Sequence, residues 1–340
     1  MSEKKVVILP NGELYHHLFP KHVLAKLEAF SQVAFNPYEG DITEEQAIEL
    51  LQDADGVITS WGSPMLTEKT FTACPRLKII GHAAGSALEY AKNAIPSGVK
   101  VVNAASAIAS SVAEYCLCMT LASLRTIKQH DLEVKAEKGF EPSTREVTFA
   151  KNYGLFNKKV GLVGFGYVAR EFTKLLKPFQ AEITVYDPYI SDSVFERFGV
   201  RRANSLVELF RNSKIISVHL PPKAELLIGK EEFAAMPDGG IFINSSNGLI
   251  FAPEALLFEI KSGRIFAATD NIDSIIRLSK KNTVPEMVEY PNLILTPHVA
   301  GPTIDQRYRL GLTIVEEFQR FFAQEPMCFE IKEAHLLHNA

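Results

Sequence analysis

Three small residues stand at the spacing of a phosphate-binding turn. Gly164, Gly166 and Ala169 follow the apolar run KKVGLV and precede a helical pattern. In such a turn the first glycine allows a tight bend, the second lets the backbone approach a pyrophosphate, and the third small residue lets helix and strand pack closely. The backbone amides at the start of the helix, at Tyr167 and Val168, would then face the phosphates. The pattern predicts a dinucleotide site.

An acidic residue follows at the position that reads the ribose. The next apolar run, AEITVYD, ends in Asp187, about 20 residues beyond the glycines. A carboxylate there would accept hydrogen bonds from both ribose hydroxyls and repel a 2′-phosphate, which favours NAD over NADP. The alternative is an α/β turn that uses glycine for packing alone.

Two further polar stretches come directly after apolar runs. The turn INSSNG places four uncharged polar residues in a row, at 244–247, and the run LILTPH ends in His298. Imidazole suits proton transfer near neutral pH, although an isolated histidine after a strand is more often structural. The turn at 244–247 has the position of a catalytic loop but carries no charge.

Short apolar runs alternate with helical patterns along the whole chain, in two series. The first series comprises runs at 4–10, 32–37, 56–61, 77–83 and 100–104, and a second series begins at residue 158. Apolar strands joined by helices form parallel sheets covered on both faces. We therefore expect an α/β protein with two doubly wound parallel-sheet domains, Rossmann-like or flavodoxin-like.

The connecting segments are predicted from their periodicity. The stretch 110–138 has the pattern of one long helix that starts at Ser110 or Ser111 and connects the two series. The stretch 139–157 lacks a period and is expected to form a surface loop, and 303–325 has the pattern of a last long helix.

Composition excludes several classes of function. The chain has 340 residues and a net charge of −4, so it has no basic footprint for nucleic acid and no polybasic membrane patch. No apolar run approaches 18 residues, and the N-terminal stretch is typical of a first strand rather than a signal peptide. The four cysteines match no zinc or disulfide spacing. We expect a soluble, cytoplasmic protein without a metal site.

The order of the motifs resembles that of the D-isomer-specific 2-hydroxy acid dehydrogenases. VGLVGFGYVAR, YDPY, SVHLPP, MPDGGIFINSSNGLI, AATDNID and LILTPHVAG follow one another at family spacing. The resemblance implies a substrate-binding domain made of residues 1–109 and 304–340, and an NAD-binding domain at 110–303 inserted between them. It also implies hydride transfer between NAD and a small 2-hydroxy or 2-keto acid, and a homodimer formed through the cofactor domains.

The resemblance assigns roles in the cofactor domain. His298 in TPHVAG matches the family's acid/base, and Asp270 matches the residue on the nicotinamide side of the cofactor. His219 and Pro221 in SVHLPP match a cofactor-side loop, where the histidine can also serve as a structural residue at the end of a strand.

The resemblance assigns a substrate loop in the first domain as well. The loop HAAGS, with His82, Ala83, Ala84 and Gly85, matches the loop whose backbone amides surround the substrate carboxylate, where small residues permit a close approach. Trp61, the only tryptophan, lies at another strand end, where it could line a substrate pocket or anchor packing under the loop.

Two family residues are replaced. Asn247 stands where the family has the arginine that grips the substrate carboxylate, and Ile275 stands where it has the glutamate that hydrogen-bonds the histidine. Asp273 or Arg277 could substitute in part. Three hypotheses remain open: a 2-hydroxy acid dehydrogenase with altered catalytic equipment, a dehydrogenase for an alcohol or ketone without a carboxylate, and an NAD-binding protein with little or no turnover.

Overall fold

The chain forms two compact units. A computed structural model describes residues 4–136, 152–221, 226–246, 250–270, 290–333 and 336. One unit comprises Met1–Ile108 with Pro302–Ala340, and the other comprises Ala109–Gly301. From the sequence, the boundaries are expected after residues 109 and 303.

The first unit is built on a five-stranded parallel sheet. Its strands are β1 (Lys4–Ile8), β2 (Ser31–Phe35), β3 (Gly56–Thr59), β4 (Ile79–His82) and β5 (Lys100–Asn103). Their spatial order is β2-β1-β3-β4-β5, with every pairing parallel. The intervening helices are Gly12–Leu18, Lys21–Glu28, Glu44–Leu51, Glu68–Ala73 and Leu88–Ala94.

The helix Tyr308–Phe322, from the end of the chain, completes the core of the first unit. It follows a 3-10 turn at Ile304–Gln306 and buries Ile314 and Phe318 completely. Two strand residues are glycine where this helix lies: a Cβ on Gly56 would stand 2.7 Å from the Phe318 ring, and one on Gly81 would overlap Ile314. Because Gly56 and Gly81 have no side chains, the helix can lie directly on the sheet at these two positions.

The second unit is built on a seven-stranded parallel sheet. Its strands are β6 (Lys159–Val163), β7 (Glu182–Tyr186), β8 (Arg201–Arg202), β9 (Ile215–Val218), β10 (Ile241–Asn244), β11 (Phe266–Thr269) and β12 (Leu293–Leu295). Their order is β12-β11-β10-β9-β6-β7-β8. The helices between them are Tyr167–Leu176, Asp192–Phe198, Leu206–Asn212, Lys230–Ala235 and Pro253–Lys261. The expected fold of two parallel-sheet α/β domains is confirmed.

The helix expected at 110–138 differs from the prediction at both ends. It begins earlier, at Ala105, where the backbone N–H of Ala105 donates to the Asn103 side chain at 3.2 Å. It ends at Leu124, because Thr126 has a left-handed backbone with φ of 47°, and a separate helix then spans Ile127–Lys135. Of the expected loop at 139–157, residues 137–151 lie outside the described residues, and 152–157 form no helix or strand.

One helix in the described part of the chain, Ala105–Leu124, is long and apolar enough to span a membrane by length and composition. The buried share of its most apolar window is 44%. Ala113, Cys116 and Leu124 of this helix belong to a hydrophobic core cluster of the second unit. Core helices of soluble proteins have the same length and composition, so this feature is weak evidence for a membrane span.

Candidate active site

The carboxyl edge of the second sheet collects the polar residues singled out in the sequence. Because its strands are parallel, their carboxyl ends lie on one edge of the sheet, and ligands of such folds bind outside that edge. The residues at the ends of β6, β7, β9, β10 and β11 are, in that order, Gly164, Asp187, His219, Asn244 and Asp270.

The glycine turn after β6 has the shape that a pyrophosphate requires. Gly164 has φ of +85°, and a Cβ there would lie 2.5 Å from the His219 carbonyl oxygen, so only glycine fits. Gly166 immediately precedes the helix Tyr167–Leu176, and a Cβ on it would meet nothing within 4 Å. Ala169 is fully buried. The exposed backbone at the start of this helix therefore has room for phosphate oxygens, and these residues fit NAD.

Asp187 is fixed by the backbone around it. Its two carboxylate oxygens accept the backbone N–H groups of Phe165 at 2.8 Å and Tyr189 at 2.9 Å. The neighbouring Arg202 donates to the Asp187 carbonyl oxygen and to the Asp192 carboxylate, both at 3.0 Å. The guanidinium of Arg202 is thus engaged by the turn that follows β7, whereas recognition of a 2′-phosphate uses an arginine near the ribose.

His219 is enclosed after β9. Its backbone N–H donates to the Val163 carbonyl at 2.8 Å, and its ring lies 5.8 Å from that of Phe172. Although the residue as a whole is half-buried, both ring nitrogens are shielded from solvent and have no partner among the described residues. Burial lowers the pKa of His219 to about 3, so the ring is neutral. Pro221 is half-buried two residues further on.

The polar turn after β10 is bonded to its neighbours. The Asn244 carboxamide donates to the Ser246 carbonyl and accepts from the Ser246 N–H, both at 3.3 Å. The Ser246 hydroxyl donates to the Val218 carbonyl at 3.1 Å and accepts from the Leu220 N–H at 2.9 Å. This network joins the ends of β9 and β10. Asn247 lies outside the described residues.

Asp270, after β11, anchors the turn that carries His298. One carboxylate oxygen accepts from the Thr296 hydroxyl at 2.5 Å and the Val299 N–H at 2.8 Å, and the other accepts from the Ala300 N–H at 2.7 Å. The His298 N–H donates to the Asp270 carbonyl at 2.9 Å. His298 has φ of +61°, unusual for a residue with a side chain, and is exposed. Four hydrogen bonds to Asp270 thus fix the backbone around His298. Asp273, Ile275 and Arg277 lie outside the described residues.

Sequence reasoning missed two residues of the helix Ala105–Leu124 at this edge. The Tyr115 hydroxyl lies 2.6 Å from that of Thr296, and burial raises the pKa of Tyr115. The Cys116 thiol donates to the Ser245 hydroxyl at 3.4 Å, and burial raises the pKa of Cys116 to about 11. Both side chains are therefore neutral. The positions of Tyr115 and Cys116 in the helix pattern do not predict contacts with Thr296 and Ser245, because those residues come much later in the chain.

Part of the HAAGS loop is hydrogen-bonded within the first unit. His82 is 8% exposed, its Nδ1 lies 2.9 Å from the Thr59 hydroxyl, and burial lowers its pKa to about 4. The backbone N–H of Ala83 donates to Thr59 and that of Ala84 to His82, both at 2.8 Å. The next two amides, at residues 85 and 86, make no hydrogen bond to any described residue. Gly85 is half-buried and Ser86 is exposed, so a ligand can approach this part of the loop.

Trp61 lies two residues beyond β3 and is 44% exposed. It lines a cavity of about 210 Å³ with Asn11, Asn36 and Asp41. The Trp61 indole therefore forms part of the wall of this cavity and is not enclosed beneath the HAAGS loop.

The described residues contain no group of three or more His, Cys, Asp or Glu side chains that could hold a metal ion. All four cysteines are free: Cys74 and Cys116 are buried, and Cys118 and Cys328 are exposed.

Known proteins match the chain over most of its length. Residues 117–300 match the family model described as D-isomer specific 2-hydroxyacid dehydrogenase, NAD binding domain. A D-3-phosphoglycerate dehydrogenase of Methanocaldococcus jannaschii is 30% identical over 84% of this chain and 53% of its own length, so the chain spans about half of that relative. A hydroxypyruvate reductase of Thermotoga maritima is 28% identical over 84% of this chain and 92% of its own length. The crystal structure of a phosphoglycerate oxidoreductase from Rhizobium etli shares the fold, with a TM-score of 0.79 and 23% identity, over 97% of this chain and 99% of that one.

Proposed function

Because the chain belongs to the D-isomer specific 2-hydroxyacid dehydrogenase family, we propose that it transfers hydride between NAD and a small 2-hydroxy or 2-keto acid. One observation supports this most strongly. The sheet edge that carries the Gly164 turn also carries His298, on a backbone fixed by Asp270. A cofactor turn and a positioned proton donor at one edge are what such a reaction requires.

The cofactor proposal assigns the chain's own groups to parts of NAD. The amides of Gly166, Tyr167 and Val168 would hold the pyrophosphate, and Asp187 would accept the ribose hydroxyls. NAD supplies the hydride acceptor or donor. The Asp187 charge favours NADH over NADPH, because the nearby Arg202 is engaged by the turn after β7.

His298 is proposed as the acid/base. Its exposed imidazole could give a proton to the carbonyl oxygen of a keto acid and take it back in the reverse direction. Asp270 would hold the turn in place and face the nicotinamide side of the cofactor. His219, neutral and enclosed, and Pro221 would form the wall of the cofactor site.

The first unit is proposed as the substrate-binding domain. In the HAAGS loop, the open amides at 85 and 86 would receive the substrate carboxylate. His82, Ala83 and Ala84 would shape the loop through their burial. Trp61 would contribute to the wall of the substrate pocket.

The two replaced family residues limit the substrate. Asn247 can offer one hydrogen bond but not the bidentate grip of an arginine, and Ile275 cannot hydrogen-bond His298. These two residues favour, as a second candidate, a dehydrogenase for a substrate without a carboxylate, or an NAD-binding protein with little turnover.

The test is NADH oxidation with glyoxylate, with hydroxypyruvate and with a simple ketone, alongside a measurement of NADH binding. We expect turnover of a 2-keto acid, and a loss of about 10²–10⁴-fold in kcat/KM for His298→Ala. His16→Ala, at an exposed histidine of the first unit, should change nothing. NADH binding without turnover of any keto acid would contradict the first candidate. Full activity in His298→Ala would remove this residue from the mechanism.

A homodimer is proposed for the assembly, and the cytoplasm for the location. The helix Ala105–Leu124 is apolar, and 44% of its most apolar window is buried within the chain. Its half-buried residues are proposed as the contact with a second copy. A mass of 37.8 kDa in light scattering at micromolar concentration would contradict the dimer.

A further inference from the structure

A basic cavity lies at the opposite edge of the second sheet, at the amino ends of β6 and β9. Its volume is about 310 Å³, and Lys158, Lys159, Arg211 and Lys214 line it together with Tyr153. None of the described residues that line it is acidic. Four positive charges thus meet in one concave site of a chain whose net charge is −4.

Three of the four cations of this cavity have no counter-ion among the described residues. Among the residues that the structure describes, Lys158, Lys159 and Arg211 form no ion pair. The Lys214 ammonium donates to the backbone carbonyl of Asp238 at 3.0 Å, while the Asp238 carboxylate lies 3.6 Å from Arg264. The Asp238 carboxylate is therefore shared with Arg264, which does not line the cavity.

Two of the four charges are also held close together. The ammonium groups of Lys214 and Lys158 lie 5.2 Å and 5.9 Å from the centre of the Tyr153 ring. Burial, and then the charge of Lys158, lower the pKa of Lys214, while the Asp238 carboxylate opposes them with a smaller effect. An anion in the cavity would relieve this repulsion and form charge-assisted hydrogen bonds with each cation.

We propose that this cavity binds a small phosphorylated anion, with Lys158, Lys159, Arg211 and Lys214 as its cationic ligands. The site is separate from the pyrophosphate turn, because Lys159 and Gly164 stand at opposite ends of β6, roughly 16 Å apart at the rise of a strand. The concave shape and the acidic net charge of the chain favour a small anion over a nucleic acid backbone.

The experiment is calorimetric titration of inorganic phosphate and of pyrophosphate into protein saturated with NADH, at an ionic strength held constant with potassium chloride. Saturation keeps the probes out of the cofactor turn. The test variant is Lys159→Gln with Arg211→Gln, both at exposed positions. The control is Lys230→Gln with Lys261→Gln, also exposed in the same unit, which removes the same charge.

We expect one phosphate or pyrophosphate per chain in the wild type and in the control, and binding weaker by at least about tenfold in the test variant. Equal affinity in the wild type and the test variant, or no binding of either probe, would overturn the proposal. So would displacement of pyrophosphate by a short single-stranded DNA that binds more tightly. If NADH fails to bind, the proposed function is wrong. Titration of the wild type, the test variant and the control without NADH then still decides whether the cavity binds the anion.

Discussion

Asp270→Asn tests whether a buried carboxylate fixes the turn that carries His298. Asp270 is 2% exposed and accepts from Thr296, Val299 and Ala300. Asparagine has nearly the same shape but keeps only one acceptor oxygen, because its amide nitrogen can only donate. At least one of the bonds to the turn must therefore be lost, while the packing stays nearly unchanged.

The size of the effect follows from that bond. A hydrogen bond to a charged group contributes about 1.5–3 kcal/mol, and a buried donor left without a partner costs about 1–3 kcal/mol. The Ala300 N–H is such a donor, since Ala300 is 4% exposed. We expect a loss of about 2–4 kcal/mol in the free energy of unfolding of the second unit. A loss of ~10²-fold in kcat should accompany it, because a turn out of position misplaces the imidazole.

The assays are urea denaturation followed by circular dichroism, and steady-state NADH oxidation. Asp238→Asn is the control, because that side chain is 89% exposed and should change the free energy of unfolding by no more than about 0.5 kcal/mol. If Asp270→Asn unfolds at the same urea concentration as the wild type and keeps its kcat, the carboxylate does not anchor the turn.

Three further changes have expected outcomes. Burial lowers the pKa of His82 to about 4, whereas a histidine of the unfolded chain titrates near 6.5, so the unfolded state binds the proton first as the pH falls. The contribution of His82 to the free energy of unfolding should therefore drop by up to ~3 kcal/mol between those pH values. His82→Gln should reduce the drop measured by denaturation at several pH values, and the rest belongs to His219, whose pKa burial also lowers. Asp187→Ala should weaken NADH binding and narrow its advantage over NADPH in fluorescence titration; equal affinities already in the wild type would reject the assignment. Asn247→Arg with Ile275→Glu should raise kcat/KM for glyoxylate by at least ~10²-fold, and non-additively; rapid wild-type turnover that depends on His298 would show that other residues already fill those roles.

Local signals predicted the parts of the fold that depend on neighbouring residues. The apolar runs that became β3, β4, β9 and β10 are buried on both faces, which requires continuous apolar sequence. The glycine turn was predictable for the same reason, since the sharp bend at Gly164 and the packing of Ala169 depend on residues next to them.

The features that sequence did not predict depend on distant residues or on a single backbone angle. Ser110 and Ser111 looked like helix caps, but Asn103 caps the helix instead. The left-handed backbone of Thr126 interrupts a pattern that reads as continuous.

Contacts across the sheet were equally hidden in the sequence. The bond of Tyr115 to Thr296 joins residues of two distant segments. The backbone N–H groups of Ala83 and Ala84 donate to the carbonyls of Thr59 and His82. No sequence motif predicts these two bonds.

The helix Tyr308–Phe322 also sets the order in which the protein can fold during synthesis. The strands of the first unit leave the ribosome first, yet Gly56 and Gly81 lie open until Ile314 and Phe318 arrive to cover them. The second unit is continuous in sequence and can fold before the first. At about 5–20 residues per second, the first sheet would wait roughly 10–40 s for its last helix. During that interval its uncovered apolar face is a substrate for chaperones, and translation stopped before residue 308 would leave that face exposed for good.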